Sequence, residues 1–203
     1  MPPRHPLVVP QRYFETHTDP FMPALAIFAL HVAGSIALIY ATVNLFLSRV
    51  HDIPPGTEAA VFEVLGTITI VYIGIEIASL LIVAGIMHVL VGSDATGSYR
   101  DAVAVAGWAY APDIVLLPFG YLRAWVELRD RTFDGADASA LAAEIESLDD
   151  PTGLLDFILL LLFVGWSVYI LARGTAATHD VEVGRTIGPA LLVGFGAVVF
   201  RMM

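Results

Sequence analysis

Residues 98–119 read SYRDAVAVAGWAYAPDIVLLPF, and the fold turns on how this stretch is housed. It starts in a polar loop at Tyr99-Arg100-Asp101, becomes apolar, and midway sets Pro112 beside Asp113. Its length suits a membrane crossing, which takes about 20 residues for a hydrocarbon layer of about 30 Å. A proline inside a helix supplies no backbone donor, so the carbonyl of Trp108, four residues back, is expected to lose its helical partner. Lipid cannot replace that bond; neighbouring helices, side chains or water must. A carboxyl at the same depth is costly unless it faces protein or a wet cavity. The stretch should therefore be enclosed by other helices, as the kinked third crossing of a bundle, with Pro112 and Pro118 as kinks. Two half-helices meeting near Pro112 would satisfy the same constraints.

Working outward, four more apolar runs flank this one. The expected spans are 21–46, 68–91, 101–121, 152–172 and 186–200, giving an all-α, polytopic membrane protein with a bundle of five transmembrane helices in a single domain. Residues 1–20 carry Pro2, Pro3, Pro6, Pro10 and Pro20 and lack the pattern of a signal peptide. They read as an interfacial segment, with Tyr13 and Phe14 at headgroup depth and Asp19-Pro20 opening the first helix. Pro54-Pro55-Gly56-Thr57 breaks the chain, with Thr57 as a cap and a lead-in from Glu58 to the second crossing. Residues 122–151 form an acidic polar loop in which Leu141, Ile145 and Leu148 suggest a short amphipathic helix. Asp150 and Pro151 would open the fourth span.

Composition excludes several classes. The chain has 203 residues, 57% of them apolar, with no cysteine, so disulfides, thiolate metal sites and cysteine nucleophiles are ruled out. Twenty acids face ten basic residues, all arginine, for a formal charge of −10. That balance opposes nucleic-acid binding, which needs basic patches against phosphate. An acid-rich, lysine-free composition is halophile-like, of the kind found where concentrated salt screens self-repulsion. A GC-rich genome would account for the missing lysine but not for the acids. Five crossings put the termini on opposite sides, and the ten arginines divide equally between them, so charge assigns no orientation.

Three ionisable residues lie at membrane depth: His31, Glu76 and Asp113. His31, Ser35 and Thr42 share one face of the first span. In the second, Thr69, Tyr72, Glu76 and Ser79 form a polar face opposite a small-residue pair, Gly74 and Ala78, which should let another helix approach closely. Having two occupied faces, the second span is expected at the middle of the bundle. Aligned by span midpoints, Glu76 and Asp113 differ in depth by about 4 Å, with His31 roughly 9 Å from Glu76. Two carboxyls meeting in a low dielectric cannot both ionise, so such a pair would share a proton, relay one or hold a cation. The plainer reading makes them neutral acids satisfying the Trp108 carbonyl and the hydroxyls of Tyr72 and Ser79. His88 lies near a span end, facing headgroups. His179, Asp180 and Glu182 read as a solvated cap. Ala190, Gly194 and Ala197 make a packing face in the last span. No catalytic motif is present: GxSxG, HExxH and glycine-rich phosphate loops are all missing. No cofactor is implied.

Three stretches together carry a family likeness. The first is Pro10 to Phe14, ahead of the first span. The second is Gly97-Ser98-Tyr99-Arg100 followed by Gly107-Trp108-Ala109-Tyr110-Ala111-Pro112. The third is Trp166-Ser-Val-Tyr169, then Gly174 and Ala177-Thr-His179-Asp180. In order and spacing they resemble the Yip (Ypt-interacting protein) domain family of five-span membrane proteins, and the last resembles the closing pattern of its prokaryotic branch. The resemblance implies an integral membrane protein with a cytoplasmic N-terminus. Eukaryotic members associate with Rab-type GTPases in ER-to-Golgi traffic. This chain lacks their Asp-Leu-x-Gly-Pro motif and long cytosolic N-terminal region, so Rab binding does not carry over. The expectation is a non-enzymatic scaffold or adaptor in the cell membrane, with the lipid bilayer, protein partners or a homo-oligomer as its contacts. The alternative is a small transporter or ion or proton conductor using Glu76 and Asp113.

Overall fold

The computed structural model of the chain describes residues 5–92, 94–136, 139, 141–144 and 153–202. A short helix α1 (Pro10–Thr16) precedes the long helices α2 (Phe21–Leu47) and α3 (Thr57–Leu90). The third span is two helices, α4 (Tyr99–Trp108) and α5 (Ala111–Leu128), followed by α6 (Leu154–His179) and α7 (Val183–Met202). Among the described residues, five segments are long and apolar enough to cross a membrane, and with their backbone bonds closed internally they suit that medium. The chain is thus a multi-pass membrane protein.

The break in the third span comes at Ala109-Tyr110, one turn earlier than the proline. Pro112 then stands in the first turn of α5, where a missing N–H costs nothing. At the break the Ala109 carbonyl is helped from outside: the Ser167 hydroxyl of α6 donates to it at 2.8 Å. Pro118 stays inside α5. A capping box starts α4: Ser98 Oγ accepts from the Asp101 amide, and Asp101 accepts from the Ser98 amide at 2.9 Å.

The centre of the bundle is α4, not α3. Every residue from Ala102 to Trp108 is buried, and α4 packs against α2, α3 and α6. By contrast α3 shows Ile70, Val71, Ile73, Ile75 and Ile77 on its surface. Gly74 and Ala78 are exposed as well, and a Cβ at Gly74 would meet nothing within 4 Å. A small-residue pair permits close approach but does not supply the neighbour. In α7 the neighbour exists: Ala190 is fully buried, and a Cβ at Gly194 would fall 2.5 Å from Val168 of α6.

Other boundaries shift for local reasons. Helix α3 runs unbroken from Thr57, one residue ahead of the lead-in expected at Glu58. Its N-cap is Gly56 at φ +88°, in the left-handed region glycine occupies without strain, so Thr57 is helical and not the cap. Asp19 Oδ1 accepts from the Phe21 amide at 3.2 Å, next to the Pro20 cap. Tyr13 and Phe14 are buried against the bundle, and burial raises the Tyr13 phenol above its ordinary pKa. Across the bundle from α1, β1 (Val50–His51) pairs in parallel with β2 (Phe133–Asp134), joining the loops after α2 and α5. Leu141 packs on the Val50–Leu128–Phe133 cluster there. Ile145, Leu148, Asp150 and Pro151 lie outside the described residues.

Candidate functional site

Because α4 fills the bundle centre only as far as Trp108 and α5 leans onto α2, space is left below the break. It forms a cleft of about 820 Å³ between α2, α3, α5, α6 and α7, roofed by Ala106, Ala109 and Tyr110. All five residues of the expected polar cluster line it: His31, Tyr72, Glu76, Ser79 and Asp113. His31 Nε2 lies 3.8 Å from Glu76 Oε2, with His31 buried. The Tyr72 phenol interacts with Ser35 and with Glu76. The Tyr110 hydroxyl donates to Ser79 Oγ at 3.0 Å and its ring lies 5.0 Å from that of His31.

The expected 9 Å separation of His31 from Glu76 is thus replaced by a side-chain contact. Midpoint alignment misplaced it because α3 begins at Thr57, which moves its midpoint toward the chain start. Measured from the helix ends on the N-terminal face, His31 lies ten residues deep and Glu76 fourteen, an offset of about 6 Å that the side chains span. Asp113 lies as deep as Glu76, but α3 packs on α4 rather than on α5. The two carboxyls consequently face one cleft from different walls. The hydroxyls expected to pair with the acids have other partners in part: Ser79 takes Tyr110. Tyr110 and Ser167 are the site residues that sequence reasoning missed. Tyr110 stands between Gly107 and Pro112 and Ser167 between Trp166 and Tyr169, so their only sequence signal was a place inside the family stretches.

The motif positions lie elsewhere, at the N-terminal end of the bundle. Trp166 Nε1 donates to the Leu7 carbonyl at 2.8 Å and Tyr169 OH to that of Val8 at 3.3 Å, tying residues 5–9 to α6. Arg100 pairs with Asp19 at 3.1 Å and sits 4.7 Å over the Phe21 ring. The Trp108 ring meets Tyr13 edge-on at 5.4 Å, and Pro112 is fully buried. A Cβ at Gly107 would come within 2.9 Å of the Ala24 carbonyl oxygen; one at Gly174 would reach Val105 at 2.7 Å and the Phe14 ring at 2.9 Å. Each glycine therefore marks a close approach.

His179 is not a solvated cap, and His88 has a protein partner in it. His179 is fully buried as the last residue of α6, with its Nε2 3.1 Å from His88 Nδ1. The Thr178 hydroxyl, donating to the Gly174 carbonyl at 3.1 Å, can accept from His179 Nδ1 at 2.9 Å. That network leaves His179 Nε2 to accept from His88 Nδ1. The His179 carbonyl also accepts from the Thr96 amide at 3.1 Å. Nearby, Arg185 binds Asp94 at 2.6 Å and holds that carboxyl below its ordinary pKa. Among the described residues no group of three or more histidines and acids could hold a metal ion.

A family model described as the Yip1 domain matches residues 5–202. Comparison with curated proteins and with solved structures returned no match.

Proposed function

The chain belongs to the Yip1-domain family, whose members are generally non-enzymatic membrane-trafficking proteins, and from that premise we propose that it is a scaffold or adaptor that catalyses no reaction. It belongs to the prokaryotic branch, resides in the cell membrane with its N-terminus in the cytoplasm, and works by binding a protein partner or a second copy. The observation that carries this reading is the exposed flank of α3 at Gly74, which stands open amid isoleucines, with Ala78 four residues on exposed beside the cleft. Small residues at that spacing let a second transmembrane helix approach closely, and packing drives helix association in lipid. Crosslinking in native membranes, followed by pull-down, should recover a partner or a dimer through α3. Gly74→Ile should abolish that recovery while leaving the monomer folded. Recovery of neither, or recovery indifferent to Gly74→Ile, would overturn the reading.

The cleft supports a second reading, a small transporter or conductor, because it draws His31, Glu76 and Asp113 around one cavity at membrane depth. Reconstituted vesicles should then show proton or solute flux that falls in Glu76→Gln and in Asp113→Asn. Flux equal to that of empty vesicles would end it.

A further inference from the structure

The lining of the cleft is unequally divided. Its polar groups are few and come from four helices: Glu76, Asp113 and His31, with the hydroxyls of Tyr72, Ser79 and Ser167. The remainder is apolar, carried by side chains such as Ile82, Leu117, Leu192 and Phe200 with the backbone of Gly120 and Gly196. A hydrated inorganic ion needs oxygen or nitrogen ligands on all sides, and most of this wall offers carbon. A molecule with one polar end and a long apolar body matches it instead. The volume of about 820 Å³ falls within the roughly 300–1,000 Å³ of small-molecule sites.

Charge chooses the polar end. Two carboxyls and one imidazole line the cleft, with no arginine among its walls. Carboxylate oxygens only accept hydrogen bonds, so the complementary group is a donor and preferably a cation. A fatty acid or phosphate headgroup would bring like charge into a low dielectric, where repulsion is weakly screened. The surrounding medium is the acyl layer of a membrane, so an amphiphile can enter sideways with its tail already out of water.

We propose that the cleft binds a single-chain cationic amphiphile, a long-chain primary amine, with its ammonium group among Glu76, Asp113 and His31 and its alkyl chain along α3 and α7. This deepens the second reading of the same cleft, but binding requires no transport. Amine binding without flux would keep this inference and remove the transporter.

The test uses the full chain in nanodiscs with a photoreactive hexadecylamine as probe. Labelling should saturate and map to peptides covering 72–86 and 192–200. Unlabelled hexadecylamine should compete; hexadecanoate should not. Glu76→Gln should weaken competition roughly tenfold or more, the scale of a hydrogen bond to a charged group. Ala197→Phe, which fills the apolar end, should abolish saturable labelling. Should Ala197→Phe fail to fold, as judged by its melting profile, Glu76→Gln decides the matter. Labelling that does not saturate, that hexadecanoate displaces equally, or that Glu76→Gln leaves unchanged would overturn the proposal.

Discussion

The two ends of the third span lead opposite lives. Above the Ala109-Tyr110 break, α4 is buried along its whole inner length and tied to every neighbour. Below it, α5 keeps α2 as its main partner and leaves a cleft against α3 and α7. The upper end is built from glycines that admit backbone or ring within van der Waals distance, and from side chains such as Trp166 and Tyr169 that close carbonyls of residues 7 and 8. The lower end holds the ionisable groups. Rigid packing on one side of a helix break thus permits a polar cavity on the other, since a carboxyl in lipid needs space shared with protein or water.

The largest effect expected from this contrast concerns glycines of equal chemistry in unequal places. Gly107→Val should destabilise the protein by about 3 kcal/mol, because its side chain meets the Ala24 backbone, which cannot rotate away. Gly74→Val should cost little in the monomer, since no atom stands near its Cβ. Thermal unfolding of both variants in detergent checks this, and equal losses would erase the distinction between the two ends.

A smaller effect should follow from Trp166→Phe. It keeps an aromatic ring, smaller than the indole, but removes the 2.8 Å bond to the Leu7 carbonyl, a loss of about 1 kcal/mol. Hydrogen exchange should rise for residues 5–16 and stay unchanged around Tyr72 and Glu76; a rise in the cleft would mean that the two ends are coupled.

The smallest concerns Asp94, whose carboxyl is held below its ordinary pKa by Arg185. A depressed folded pKa means the pair stabilises above the unfolded value and is lost as pH falls through the folded one. The effect of Asp94→Asn, read as local exchange around Thr96 and Gly97, should therefore be present at neutral pH and fade as the pH falls below the ordinary carboxylate range. Both groups are half exposed or more, so global stability should barely move.

Much of this was legible in the chain. Membrane-length apolar runs announced the crossings, and Pro112 beside Asp113 announced a disturbed, enclosed third span. The helical spacing of Tyr72, Glu76 and Ser79 announced a polar face that does line the cleft. Three readings failed for one reason. Gly74 and Ala78 looked like a buried contact, His179 looked like a solvated cap, and His31 looked distant from Glu76. In each case the residue's own helix was read properly, and the unknown was what stood across from it.

Hydrophobic length and periodicity act within a single segment, so the sequence alone settled that five helices cross a membrane and which side chains share a face. Only the tertiary structure decided that α4 takes the centre, that His88 meets His179, and that the acids of two walls look into one cleft. Those outcomes depend on the relative depth and lean of separate helices, which are set by contacts between residues far apart in the chain, 91 positions for His88 and His179 and 159 for Leu7 and Trp166. No local pattern encodes such offsets.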